Sequence, residues 1–231
     1  MRLSRWWLGA VAVLAVAGVV SQAGAAMMVI NIDMSDKMAS PDANSWNVIS
    51  RTVPTGAVAL IDDTGAASGV SVTMVNVKGS SSAADNSGAF AGTEFDPACK
   101  DYLLPTSTAS PSTWTFSGLD GNYTYKFELV ATTTYGNMVG DYQVGGVFGD
   151  TGHDGNDFNA YTDGRTNGTV MQWDSVSPTD GNIVVTMTYV SNTSVVLNAM
   201  RITQIPEPVV TPILAAGAVA ALIRRRRRRI G

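Results

Sequence analysis

The feature that most constrains this chain is a period of two. In Tyr123–Val130, Tyr123, Tyr125, Phe127 and Leu129 alternate with Thr124, Lys126, Glu128 and Val130, a set that is mostly polar. A strand places successive side chains on opposite faces, so this run asks for one buried and one wet face. Ile183, Val185 and Met187 repeat the pattern against Val184 and Thr186, more weakly, as in a central strand covered on both sides. Between residues 26 and 204 no window has a helical period. Eleven short runs rich in Val, Ile, Thr and aromatics are predicted as strands: 28–33, 46–50, 58–61, 70–75, 101–104, 112–116, 123–131, 142–147, 170–174, 182–189 and 194–202. Asp63-Thr64-Gly65, Asp120-Gly121-Asn122 and Ser177-Pro178-Thr179-Asp180-Gly181 supply residues that accept positive φ or preset φ where the chain must reverse. The expected fold is all-β, an antiparallel β-sandwich over residues 26–204.

The two ends of the 231-residue chain have a different composition from its middle. Over residues 26–205 seven Lys and Arg stand against eighteen Asp and Glu, a charge near −11, although the whole chain carries −4. An acidic body excludes a phosphate-backbone binder, so no nucleic-acid partner is expected. Residues 1–25 read as a secretory signal peptide: Arg2 and Arg5 precede an apolar stretch from Trp6 to Val20, and Ala23-Gly24-Ala25 is a small-residue site for signal peptidase. An uncleaved anchor helix is the alternative, and the short run and good cleavage site weigh against it. Residues 205–231 begin with Pro206-Glu207-Pro208, continue as an apolar run over 209–223, and then carry Arg224, Arg225, Arg226, Arg227, Arg228 and Arg229. Fifteen helical residues reach about 22 Å against a hydrocarbon core of about 30 Å. The predicted transmembrane helix is therefore short, and its arginines hold their side in the cytoplasm and leave the body outside. The chain thus reads as a β-sandwich flanked by a signal helix and a short membrane helix.

Pro-Glu-Pro, a short Ala/Gly/Leu-rich helix and an Arg cluster, in that order, resemble the bacterial PEP-CTERM sorting signal. The resemblance covers residues 205–231. It implies a membrane-anchored intermediate, a cut near Pro206–Pro208 by an exosortase, and delivery to the cell surface or extracellular matrix of a Gram-negative-type bacterium, often within an exopolysaccharide system. A plain tail anchor, with the prolines merely ending a linker around 203–208, is the alternative. The body also resembles galactose-binding-like jelly-roll domains through Ile30–Asp33, Trp46-Asn47, the Thr115–Tyr123 turn and the closing Val196–Ile202. That resemblance implies opening and closing strands side by side and end loops as the usual binding surface, without assigning a residue to a site.

Candidate chemistry is sparse. Asp150, Asp154, Asp157 and Asp163 lie on a Gly- and Asn-rich loop that could offer oxygen ligands to Ca²⁺, but the spacing is no EF-hand and a solvated metal-free loop fits better. With His153 the lone histidine and Cys99 the lone cysteine, a transition-metal site or disulfide framework is not expected, and Cys99 reads as a buried thiol. No G-x-S-x-G elbow occurs, and Glu94 and Glu128 are the only Glu residues of the body. No enzyme activity and no cofactor are expected. A weak glycan site would need exposed rings beside polar groups, which points to Tyr135, Tyr142, Phe158, Tyr161 and Arg165, whereas Trp46, Trp114 and Trp173 read as core. Residues 79–92 read as a flexible Ser-rich loop without chemistry. The expected role is a structural or adhesive surface or matrix protein with extracellular polysaccharide as a candidate partner. The alternative is an exopolysaccharide-processing hydrolase, which would need paired carboxylates across a cleft.

Overall fold

The computed structural model describes residues 27–34, 45–49, 56–78, 86–100, 102–105, 110–136, 138–149, 155–191 and 195–206. Thirteen strands occur among them: β1 (Val29–Asp33), β2 (Asn47–Val48), β3 (Val58–Ile61), β4 (Ala67–Val75), β5 (Val77–Lys78), β6 (Leu104–Pro105), β7 (Ser112–Ser117), β8 (Tyr123–Val130), β9 (Val139–Val144), β10 (Phe158–Asn159), β11 (Met171–Val176), β12 (Asn182–Ser191) and β13 (Ala199–Pro206). They form a five-stranded sheet in the order β11-β8-β13-β1-β2, a six-stranded sheet in the order β10-β9-β12-β7-β4-β3, and the small ribbon β5-β6. From β7 to β13 the chain changes sheet at almost every connection, so neighbours within a sheet are distant in sequence.

The inward residues of both sheets meet in one core. Tyr125, Phe127 and Leu129 of β8 are fully buried, as are Trp114 and Phe116 of β7. The rings of Phe116 and Phe127 bridge the sheets edge to face, 5.8 Å between centroids. Trp114 and Trp173 are core residues as expected, and Trp46 is buried too. β1 and β13 lie antiparallel, with Val29 opposite Thr203 and Asp33 opposite Ala199. The three anticipated turns are present. Asp62 Oδ1 accepts the Thr64 and Ala66 N–H groups, Asp120 Oδ1 accepts that of Asn122, and Asp180 and Gly181 take positive φ between β11 and β12.

Four expectations are corrected. The strand expected at 142–147 is β9, three residues earlier, because Gly145 and Gly146, at φ of 62° and 81°, turn the chain before Val147. The strand expected at 101–104 shrinks to Leu104–Pro105, preceded by a 3-10 turn at Pro97–Lys100. The linker expected from Thr203 is sheet as far as it is described: Thr203–Pro206 pair with Lys126–Tyr123 of β8. Residues 86–92 are not a loose loop. Asn86, Ser87 and Phe90 are buried, and Phe90, Phe95, Ala98 and Cys99 pack with Trp46, Val130 and Ala199 in a second, smaller core on the outer side of the five-stranded sheet. This cover buries Val130, whose place in the period of two put it on the wet face. Cys99 is fully buried. No helix among the described residues is long and apolar enough to cross a membrane. Residues 1–26, where the signal peptide was expected, and residues 207–231, including the apolar run 209–223, lie outside the described residues.

Asn47 ties the edges of the two sheets. Its side chain donates to the carbonyls of Ile61 (2.9 Å) and Asn31 (3.0 Å) and accepts the Ile61 N–H (2.8 Å), serving edge strand β3 as a backbone partner would. Asn47→Ala would strand these groups, each costing about 1–3 kcal/mol where water cannot replace the partner. A loss of about 2–4 kcal/mol in a urea unfolding midpoint series is expected, and an unchanged midpoint would show the clamp to be idle.

Candidate functional site

Three segments converge at the end of the sandwich where β8 finishes and β13 begins. The first is the connection Ala131–Gly136 after β8. Thr132 N–H donates to buried Asn198 Oδ1 (2.6 Å), Thr132 Oγ1 donates to Asn86 O (2.6 Å), and Thr134 N–H donates to Asn86 Oδ1 (3.0 Å). Asn86 and Asn198 thus meet the backbone hydrogen-bonding needs of a loop that sits partly inside the protein. The second segment is the short strand β10, which runs into a π-helix at Ala160–Thr166. Asn159 caps it, its Oδ1 accepting the N–H groups of Tyr161 and Thr162 at 3.0 Å, while Asp163 Oδ2 accepts the Asn159 N–H at 2.9 Å. This is the reciprocal logic of a capping box. Gly164 lies against the first segment so closely that a Cβ there would stand 1.9 Å from Ala131 O. The third segment is Asn86–Phe90, whose 3-10 turn packs against the π-helix.

On this frame the candidate aromatic residues divide. Tyr135 is 55% exposed and Tyr161 42% exposed, so both rings can meet a ligand. Tyr142 and Phe158 cannot. They are buried against each other edge to face at 5.8 Å, and Tyr142 Oη donates to Val196 O at 2.5 Å. Burial also raises the Tyr142 phenol far above its ordinary value. Both are corrected from candidate ligand residues to core: Tyr142 takes an inward position on β9, and β10, an element the sequence did not reveal, turns Phe158 inward. Arg165 is half-buried in the last turn of the π-helix.

Among the proposed Ca²⁺ ligands, Asp150 and Asp154 lie outside the described residues, as does His153. Asp163 is occupied as the cap partner of Asn159. Asp157 is exposed at φ 51°, and its N–H donates to Asp141 Oδ1 at 2.8 Å. Among the described residues no three His, Cys, Asp or Glu side chains gather as a metal site.

A second polar cluster, not anticipated from the sequence, lies on the outer side of the five-stranded sheet. Arg201 Nε donates to Asn31 Oδ1 (2.8 Å), its guanidinium sits 4.8 Å over the Phe95 ring centroid, and a terminal nitrogen pairs with Glu94. Trp46 meets Phe95 edge to face. One arginine thereby pins the 86–100 cover to the sheet. The only sequence signal is a charge between Met200 and Ile202 in an alternating run. Both body glutamates are engaged in ion pairs here, Glu94 with Arg201 and Glu128 with Lys126 at 3.0 Å. The hydrogen bond from Arg201 holds the Glu94 carboxyl below its ordinary value. A general acid in glycoside hydrolysis needs a raised value, so this environment opposes that role.

An open cleft of about 480 Å³ lies at the opposite end of the sandwich, between Val144–Val147, Ser175–Thr179 and Asn182–Val184. Among the described residues its lining has no titratable or aromatic side chain.

These features define a two-sheet all-β sandwich with one covered outer face and a hydrogen-bonded loop end bearing two exposed tyrosines. No family model matches the chain, and no curated protein does. Among solved structures it is similar to a family 35 carbohydrate-binding module from Clostridium thermocellum, in its native structure. The two share 12% identity and a TM-score of 0.29, over 57% of this chain and 90% of that one. A likeness at that level transfers neither ligand nor site.

The cover should respond to acid. The Asp96 carboxylate accepts the Gly92 N–H (2.8 Å), pairs with Lys100 (2.8 Å) and accepts the Ser87 hydroxyl (2.6 Å), which together hold its pKa at about 2. A carboxyl depressed in the folded state contributes stability that is complete above its unfolded value near 4 and is lost as pH falls through about 2. Asp96→Asn should melt below the native protein at pH 6, and the gap should close between pH 4 and 2. A gap that stays constant across that window would show the carboxylate charge to be irrelevant.

Proposed function

We propose that the protein is an exported, exosortase-sorted component of the cell surface or extracellular matrix of a Gram-negative-type bacterium, structural or adhesive in role, with weak glycan binding at its loop end and no catalysis. The observation that carries the sorting half is the order Pro206-Glu207-Pro208, apolar run, Arg224–Arg229 in the sequence. Within the described residues β13 runs up to Pro206, the first residue of the motif. β13 has eight residues, about 26 Å at strand rise, with Pro206 at one end and the Tyr135 and Tyr161 segments beyond the other.

Signal peptidase and exosortase are the processing partners in this proposal, the membrane is a transient one, and extracellular polysaccharide is the ligand class. Intact-mass measurement tests the sorting half on protein recovered from the native surface and from a strain lacking the exosortase. Termini at Ala26 and near Pro206 are expected, with the second cut lost in the mutant strain. A native chain that retains Gly231 would overturn it. Retention on the strain's own extracted polysaccharide tests the binding half: Tyr135→Ala and Tyr161→Ala should each weaken it several-fold without moving the melting temperature, because neither ring is in the core. Equal retention of the native protein and the double variant would remove glycan binding at this end. Tyr142→Ala and Phe158→Ala should instead lose about 3–5 kcal/mol of stability, as truncated core rings do.

A further inference from the structure

We propose that the outer face of the six-stranded sheet is a self-association surface, which packs weakly and reversibly against the same face of a second copy of this chain. Register places Thr73, Thr115 and Val184 side by side across β4, β7 and β12, and Val75, Thr113 and Thr186 in the next row. All six are exposed or half-buried, on the opposite side from the core residues Val72, Met74, Trp114, Phe116 and Val185. Among the described residues of the six strands, Asp141 is the only charged one. It stands on β9, toward the margin of the sheet, where its carboxylate accepts the Asp157 N–H. The other sheet has the opposite character: its outward positions hold Lys126, Glu128, Asp174 and Arg201, and the 86–100 segment covers part of it.

The occupant follows from charge. A body near −11 repels its own copies wherever its carboxylates would be brought together. Among the described residues the Thr/Val face is a broad surface where two copies can approach with no carboxylate at the centre of contact. Threonine suits a like partner, because its methyl packs and its hydroxyl both donates and accepts. No outward position in the two rows is aromatic, so the face lacks the stacking ring a sugar needs. The size of the face sets the strength. Three strands about 4.8 Å apart, each with three outward residues about 7 Å apart, make a patch of about 300 Å² per copy, or about 600 Å² in total. That is below the roughly 1,200 Å² at which stable complexes begin, which argues for a concentration-dependent isologous dimer.

The inference does not rest on the sorting pathway, since a chain that keeps its tail carries the same face. Its failure would show as an unchanged sedimentation coefficient, and failure of the sorting reading as an uncut tail. Sedimentation velocity on protein recovered from its native surface or medium, over a hundred-fold concentration range, should show mass rising from monomer toward dimer. Salt should strengthen the association by screening the acidic repulsion. Thr115→Lys and Thr186→Lys, which lower the net negative charge, should weaken association at least ten-fold with melting temperature unchanged. Gln172→Lys, on the other sheet's outer side, should leave it intact. A monomer at every concentration, an association that survives both threonine substitutions, or equal loss with Gln172→Lys would overturn the proposal. So would a monomer that binds insoluble polysaccharide and loses that binding with Thr115→Lys, which would give the face to a glycan instead.

Discussion

Everything in the sandwich depends on where β13 lies. Its eight residues pair with β8 over their whole length and with β1 on the other side, so strands from the start, middle and end of the described body form three adjacent rungs of one sheet. Until β13 docks, Phe127 and Leu129 of β8 and Ile30 and Ile32 of β1 have no shared sheet from which to face the aromatic residues of β7. The closure brings together residues about 170 positions apart, as in the Arg201–Asn31 hydrogen bond. The entropy cost of such long loops is recovered only when the core between the sheets is complete.

The two sheets solve the problem of their outer faces differently. The five-stranded sheet carries charges and accepts a cover: Arg201 meets Asn31, Glu94 and Phe95 at once, and the apolar residues around Cys99 form a second core over Val130 and Ala199. Among the described residues the six-stranded sheet has no second core on its outer side and no charge beyond Asp141, and threonines and valines stand in register across β4, β7 and β12. In a protein this acidic, an uncharged sheet face is where contact with another molecule costs least. The loop end is a third kind of surface, in which buried amides at Asn86 and Asn198 hold the loop beside Tyr135 and the capped π-helix carries Tyr161.

Much of the fold was legible in the sequence and less of the site. The alternation of β8, the Asp and Gly turns, the core tryptophans and the side-by-side opening and closing strands all follow from local chemistry or from the resemblance quoted for it. Tyr142 and Phe158 show the limit. An aromatic residue beside a Gly- and Asp-rich loop looks the same whether it faces solvent or core, and the two-residue strand β10 that turns Phe158 inward is too short to leave a periodic signal. The cover was missed for a related reason: Asn86–Gly92 has the composition of a loop, and only its contacts with a distant sheet make it ordered.

The sequence by itself determined the all-β class, the acidic body and the distinct character of both ends, because strand periodicity, net charge and apolar runs are properties of neighbouring residues. Only the tertiary structure decided which aromatics are exposed, that residues 203–206 join the sheet, that Arg201 fastens a cover, and that threonines from β4, β7 and β12 share one face. Each of these depends on pairing between residues tens of positions or more apart, which is set by how the sheets assemble and not by any local pattern.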